Sequence, residues 1–177
     1  MLAGAGLILL ALALVVLVRQ PGNTDNTSEG GLPSSIPGQV NYPAPELGLT
    51  SVGGVPASLA DYRGQVILVN NWATWCPPCR AEMPELEAYY QAHKNNDFTL
   101  IGVSAGDTQA QVENFVHKYG VTFPMWLDPT GKSLHAFQTD YLPSSFVIDS
   151  TGTVRLAWAG AISLESLEEY VTPLLEN

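Results

Sequence analysis

The sequence predicts an α/β domain in which a mixed sheet is flanked by helices, set behind an apolar N-terminal segment and a polar spacer. Three observations predict it. Short apolar runs rich in β-branched residues recur along the chain, as expected of strands buried on both faces. Segments with helical spacing of apolar residues fill the gaps, which implies crossover connections. The last two apolar runs are separated by one tight turn, and a closing hairpin makes the sheet mixed.

In chain order, the first segment is Leu2 to Val18, uncharged and almost entirely Leu, Ala, Val, Ile and Gly. As a helix it would measure about 25 Å at ~1.5 Å per residue, at the short end of what spans a bilayer core. The competing reading is a cleaved secretory signal. The run is longer than a usual signal core, no Lys or Arg precedes it, and no small-x-small site follows it. A buried core helix would need a polar face that this run lacks. Residues 1–19 are therefore expected to be a transmembrane anchor or uncleaved signal. Arg19 alone, on the C-terminal side, casts a single vote for a cytoplasmic domain. Residues 20–42 carry Gly, Pro, Ser, Asn and Thr with few apolar residues and no period, and are expected to be a flexible linker.

Residues 43–177 are the expected domain. Val66-Ile67-Leu68-Val69 has the composition of a central strand, and Phe98 to Val103 and Ser145 to Ile148 look alike. Asp149-Ser150-Thr151-Gly152 turns the chain into a last strand, Val154 to Trp158. Helices are expected from Pro78 to His93 (Met83, Leu86 and Tyr90 inward), from Thr108 to Tyr119 (Val112, Phe115, Val116), and from Ser163 to Leu175. Pro84 falls inside the first of them, where it removes one hydrogen bond.

Charge narrows the function. Seven Lys+Arg against seventeen Asp+Glu give a formal net charge of −10, and no basic stripe is present for nucleic acid. The chain has 2 cysteines, Cys76 and Cys79, so it is not a disulfide framework. A staple usually closes a longer loop, which leaves redox chemistry or metal binding for this pair.

Cys76 follows a buried strand by a few residues, and Pro77-Pro78 begin a helix, where a missing N–H costs nothing. Near a helix N-terminus the dipole and free N–H groups favour negative charge. This lowers the thiol pKa, and the thiolate is the nucleophile. Cys79 lies one turn deeper on the same face, within reach for a disulfide. The first sulfur then attacks a partner's disulfide and the second resolves the mixed disulfide.

Zinc would need four ligands, and His93, His117 and His135 are scattered singly. Covalent haem attachment needs His directly after the second cysteine, and position 80 is Arg. No metal and no cofactor are expected. Glu82, at i+3 from Cys79, is either a solvated helix residue or the acceptor of the proton Cys79 must lose. Pro143 opens a strand, an ordinary place for proline, and the bond before it is either trans or cis. Trp75 and Leu142 flank the pair as apolar contacts for a partner, or as packing.

The run from Val69 through Trp75-Cys76-Pro77-Pro78-Cys79-Arg80-Ala81-Glu82 to Leu86, with Pro45-Glu46-Leu47, Gly102-Val103-Ser104, Leu142-Pro143-Ser144-Ser145-Phe146-Val147-Ile148-Asp149 and Gly152, closely resembles the thioredoxin superfamily, in particular its TlpA/ResA-like membrane-anchored branch. The resemblance covers roughly Pro43 to Leu175. It implies a thioredoxin fold with an N-terminal β-hairpin and a strand–helix insertion, preceded by one transmembrane helix. It also implies that Cys76 is the exposed nucleophile, Cys79 the buried resolving thiol, and Pro143 a cis-proline whose loop receives the partner chain. Trp75, Pro77, Pro78, Leu142 and Pro143 would then bind substrate. Glu82 matches the acidic residue this branch carries beside its pair. Asn70 stands where plain thioredoxins have a buried Asp that moves protons, and asparagine cannot do that work, which raises the standing of Glu82.

The activity expected from the resemblance is reduction of disulfides in extracytoplasmic proteins such as apocytochrome c, with the domain outside the cytoplasm. The partners expected are a disulfide-bearing envelope protein and a membrane-embedded electron donor, with membrane contact through the N-terminal helix, no nucleic acid, and a monomeric chain. The alternatives are an oxidising or isomerising disulfide enzyme, a peroxide-reducing enzyme, and a metal- or haem-binding module without turnover. The peroxide reading is the weaker, because such relatives attack with a differently placed cysteine and this chain has none to spare.

Overall fold

The computed structural model describes residues 35–176, which contain one mixed sheet with helices against both faces. The strands are β1 (Gly38–Pro43), β2 (Gly48–Ser51), β3 (Pro56–Ser58), β4 (Val66–Trp72), β5 (Phe98–Ala105), β6 (Met125–Asp128), β7 (Ser144–Ile148) and β8 (Thr153–Ala159). The helices are α1 (Pro77–His93), α2 (Gln109–Tyr119), α3 (Lys132–Ala136) and α4 (Leu164–Tyr170), with short 3-10 turns at Leu59–Tyr62 and Thr172–Leu174. The segment read as a membrane anchor lies outside the described residues. Among the described residues, no helix is long and apolar enough to cross a membrane.

The sheet runs β1-β8-β7-β4-β5-β6-β2-β3. β4 sits inside it, parallel to β5 and antiparallel to β7, and every one of its residues is buried. Alternation along β4 sends Val66, Leu68 and Trp72 to one face, and Ile67 and Val69 to the other. On the first face they meet Met83, Leu86 and Tyr89 of α1, Val112 and Phe115 of α2, and Leu167 of α4. On the second they meet Leu47, Leu59, Trp126, Phe137 and Phe146. The site residues Asn70 and Asn71 fall on opposite faces by the same rule.

Several expectations from the sequence shift here. α1 runs unbroken through Pro84, and the tyrosine fully buried on its inner face is Tyr89; Tyr90 is only partly covered. The helix expected to reach Leu175 stops at Tyr170, because Pro173 has no N–H to continue it and starts a 3-10 turn instead. α2 ends where Gly120 takes the left-handed conformation at φ 68°, with its N–H bonded to the Val116 carbonyl. The N-terminal hairpin is β2–β3, which joins the sheet through β6. β1 lies at the far edge against β8, so ordered strand begins inside the stretch read as linker. Between α2 and β7 lie β6 and α3.

Candidate active site

The site forms where β4 and β7 meet at the end of the sheet. Asn71 pairs with Ser144 and Asn70 with Ser145, so the residues after β4 and those before β7 emerge side by side. After β4 come Trp75, Cys76, Pro77, Pro78 and Cys79; before β7 come Leu142 and Pro143. The Leu142–Pro143 peptide bond is cis, and the Pro143 carbonyl accepts a hydrogen bond from the Gly160 N–H at 2.8 Å. Leu142 is half-buried and packs against the core cluster that holds both cysteines.

Cys76 and Cys79 are joined in a disulfide. Cys76 is the N-cap of α1, with extended backbone, and its Sγ accepts the Cys79 N–H at 3.3 Å. Pro77 and Pro78 occupy the first two helical positions, so two of the four free N–H groups of an ordinary helix start are missing. Of the remaining two donors, the Cys76 N–H goes to the Ala73 carbonyl at 3.2 Å. One backbone donor is thus left for the sulfur. Cys76, expected to be exposed, is buried at 4%, and Cys79 is at 0%, so Cys76 is the less covered of the two. Trp75 beside it is 64% exposed, and Pro77 and Pro78 are exposed with it. On the α2 side, the Arg80 guanidinium donates to the Tyr119 hydroxyl at 3.0 Å.

Glu82 is in the buried stripe of α1 with Cys79, Met83 and Leu86, and it is 1% exposed. Its Oε1 accepts from Asn70 Nδ2 at 2.9 Å and its Oε2 from the Ile162 N–H at 3.2 Å. Burial pushes its carboxyl up to about 8, against the downward pull of those two hydrogen bonds. A carboxyl with that pKa is matched to a thiol, whose ordinary value is about 8.5. A carboxyl in that range, one helical turn from Cys79, can take up or release a proton near neutral pH.

Two further groups hold the site in shape, and no local pattern singles them out. Asp107, after β5, accepts from the Thr74 N–H and hydroxyl, both at 2.7 Å, and from Ser104 Oγ at 2.6 Å. It fixes the turn two residues ahead of Cys76. On the opposite face, Asp128 caps the start of α3 through the Lys132 and Ser133 N–H groups. Ser133 Oγ donates to Asn71 Oδ1 at 2.6 Å, and Asn71 Nδ2 to Ser144 Oγ at 3.3 Å. α3 is thereby linked through Asn71 to the residue that follows Pro143. The contacts of Asp107 with Thr74 and of Asn71 with Ser133 and Ser144 join residues 33 to 73 positions apart, beyond the range of any local pattern.

Comparison with known proteins decides the family. Residues 40–157 match the model of the AhpC/TSA family. The chain belongs to the AhpC/TSA family. Within the thioredoxin superfamily its relatives are thiol–disulfide oxidoreductases. It is 34% identical over 132 residues to the thiol-disulfide oxidoreductase ResA of Geobacillus kaustophilus (strain HTA426), covering 75% of this chain and 76% of that one. It is 31% identical over 128 residues to the ResA of Bacillus subtilis (strain 168), covering 72% of each. Among solved structures, a putative thiol:disulfide interchange protein DsbE from Chlorobium tepidum superposes with a TM-score of 0.71 at 26% identity, over 76% of this chain and 96% of that one. StoA from Bacillus subtilis does so with 0.63 at 27%, over 72% and 97%. This AhpC/TSA member has the thioredoxin fold and is a thiol–disulfide oxidoreductase, with Cys76 and Cys79 as its disulfide pair.

Proposed function

We propose that this protein reduces disulfides in extracytoplasmic proteins, apocytochrome c among the candidate substrates, and that residues 1–19 hold it at the membrane where an embedded donor recharges it. The observation that carries the direction is the Pro77-Pro78 start of α1 above a fully buried Cys79. One backbone donor stabilises a Cys76 thiolate weakly, and apolar surroundings penalise a thiolate at Cys79. Both effects disfavour the reduced form relative to the disulfide, so the dithiol gives its electrons up.

In the cycle, the Cys76 thiolate attacks one sulfur of the partner's disulfide. That bond breaks, and the partner's other sulfur leaves as a thiolate. Cys79 then passes its proton to Glu82, in the fraction of molecules whose Glu82 carboxyl is ionised, and attacks Cys76 Sγ. The mixed disulfide breaks, the partner's second sulfur leaves as a thiolate that takes its proton from solvent, and two electrons have moved from the pair to the partner. Trp75 and Leu142 form the surface against which the partner chain lies, above the buried Pro143, with Pro77 and Pro78 at its rim. The spacer keeps the domain within reach of membrane-bound partners.

The test is the reduction potential of the Cys76–Cys79 pair, with capture of the partner by Cys79→Ser. A potential near the ~−270 mV of thioredoxin supports a reductant, whereas one near ~−120 mV, where strong oxidants sit, overturns the direction. Cys79→Ser should accumulate a mixed disulfide through Cys76, and envelope proteins among the trapped species support the location.

A further inference from the structure

Beside Glu82 the buried polar groups do not balance. Asn70 is fully buried, and its Nδ2 donates twice, to Glu82 Oε1 at 2.9 Å and to Ser145 Oγ at 3.0 Å. Its Oδ1 is buried with no partner. Unpaired buried acceptors are uncommon enough to need an explanation. This one belongs to a side chain whose two ends differ in chemistry but hardly in shape, since a half-turn exchanges carbonyl for NH2.

The observed orientation suits an ionised Glu82, whose Oε1 needs a donor. It does not suit the neutral acid. Oε2 already takes the Ile162 N–H at 3.2 Å, so the acid proton belongs on Oε1, where it would point at the Asn70 NH2. A half-turn of the amide puts Oδ1 in the place of Nδ2. There it accepts from the Glu82 hydroxyl and from Ser145, whose hydroxyl serves as acceptor in one state and donor in the other, while the NH2 takes the unpartnered place that Oδ1 leaves. Aspartate at position 70 could only accept, and would set a second carboxylate against the first. Glu82 also passes between charged and neutral within reach of neutrality, because its environment is apolar.

We propose that the Asn70 amide turns over when Glu82 gains or loses its proton, offering Nδ2 to the carboxylate and Oδ1 to the acid. Asn70 is then a positioning residue that holds Glu82 in one place through both halves of the redox cycle. Its bearing on turnover rests on the reading of Glu82 as proton acceptor. The groups around Glu82 leave the amide as its partner: β4 contributes Asn70, β7 contributes Ser145 through it, and the segment before α4 contributes the Ile162 N–H. On α1 itself, Cys79 is bonded to Cys76, and Glu85 is engaged by the Leu164 N–H at 3.0 Å.

The experiment is NMR on the oxidised full chain labelled at asparagine nitrogen and glutamate carboxyl, titrated from about pH 6 to 10. Nuclear Overhauser contacts from the Asn70 NH2 protons to Ser145 and Glu82 should be present at the alkaline end. They should be lost at the acid end, with a midpoint equal to that of the Glu82 carboxyl. In Glu82→Gln the Asn70 contacts should not change with pH. Contacts that persist unchanged through the Glu82 midpoint, or the same change in Glu82→Gln, overturn the inference. Turnover separates it from the parent reading: wild-type turnover in Glu82→Gln alongside a turning amide removes the proton acceptor and leaves the inference standing. Lost turnover with a fixed amide does the reverse.

Discussion

Cys76 takes its character from what its neighbours lack. A cysteine at a helix N-cap ordinarily receives N–H groups from the second and third helical positions, and here the second is Pro78. Restoring that donor is the cleanest single-residue test of how the pair is tuned. Pro78→Ala adds one N–H toward Cys76 Sγ without adding bulk. If the new bond favours the thiolate by ~1 kcal/mol, the potential should rise by about 20 mV, and the Cys76 thiol should titrate lower. Equilibration with glutathione and thiolate absorbance read the two effects. An unchanged potential would mean that the dipole, and not the local donors, sets the thiolate. Glu82 is defined by its surroundings in the same way. Its position at i+3 from Cys79 drew attention to it in the sequence, but the letter alone was equally consistent with a solvated helix face. The decisive feature was that residues 79, 82, 83, 86 and 89 form one buried stripe, with a glutamate inside a pattern otherwise apolar.

At the level of elements, legibility followed burial and sequence distance. β4, β5 and β7 are buried along their whole length, so their composition announced them, and the Asp149–Gly152 turn marked β8. β1 could not be seen, because an edge strand with alternating exposure, Gly-Gln-Val-Asn-Tyr-Pro, carries almost no apolar signal. β2, β3, β6 and α3 were reachable only through resemblance, being three to five residues each. The site was legible where residues are neighbours in sequence (Cys76, Cys79, Glu82) and at Pro143, whose family match is specific. It was silent where loops meet across the sheet. Asp107 illustrates the second kind: it ties the loop after β5 to the loop before α1 through two bonds to Thr74. Asp107→Asn keeps the shape but sets an NH2 against at least one of the three donors. It should cost about 2 kcal/mol by urea denaturation. It should also lower kcat/KM for disulfide reduction several-fold, because the Thr74–Trp75 turn is no longer fixed. Loss of stability with unchanged kcat/KM would show that the loop needs no such anchor for chemistry.

For the molecule as a whole, the buried acid makes stability depend on pH, and the sign follows from the direction of its shift. Glu82 has an ordinary pKa of 4.5 and about 8 in the fold, so between those values the folded chain holds a proton that the unfolded chain releases. Stability from this group is full below about pH 4.5 and falls as pH rises towards 8. At ~1.4 kcal/mol per pKa unit the loss is on the order of 4–5 kcal/mol, a large part of the 5–15 kcal/mol typical of a domain. Asp149 acts at the other end. Burial pushes its carboxyl up, but bonds from Thr151, the Thr153 N–H and Arg155 outweigh that and hold it at about 2. Its contribution is therefore present above its ordinary 3.8 and fades as pH falls towards 2. Stability of the oxidised protein should peak near pH 4–5 and decline to pH 8. Glu82→Gln removes the ionisable group but keeps an amide of the same shape, so the decline between pH 5 and 8 should flatten. Urea midpoints for both proteins at those two pH values measure it. A decline as steep in Glu82→Gln as in the parent would place the pH dependence in the net charge of −10, whose self-repulsion also grows with pH. The flat profile would show instead that the fold gives up stability at neutral pH to keep a proton acceptor beside its buried cysteine.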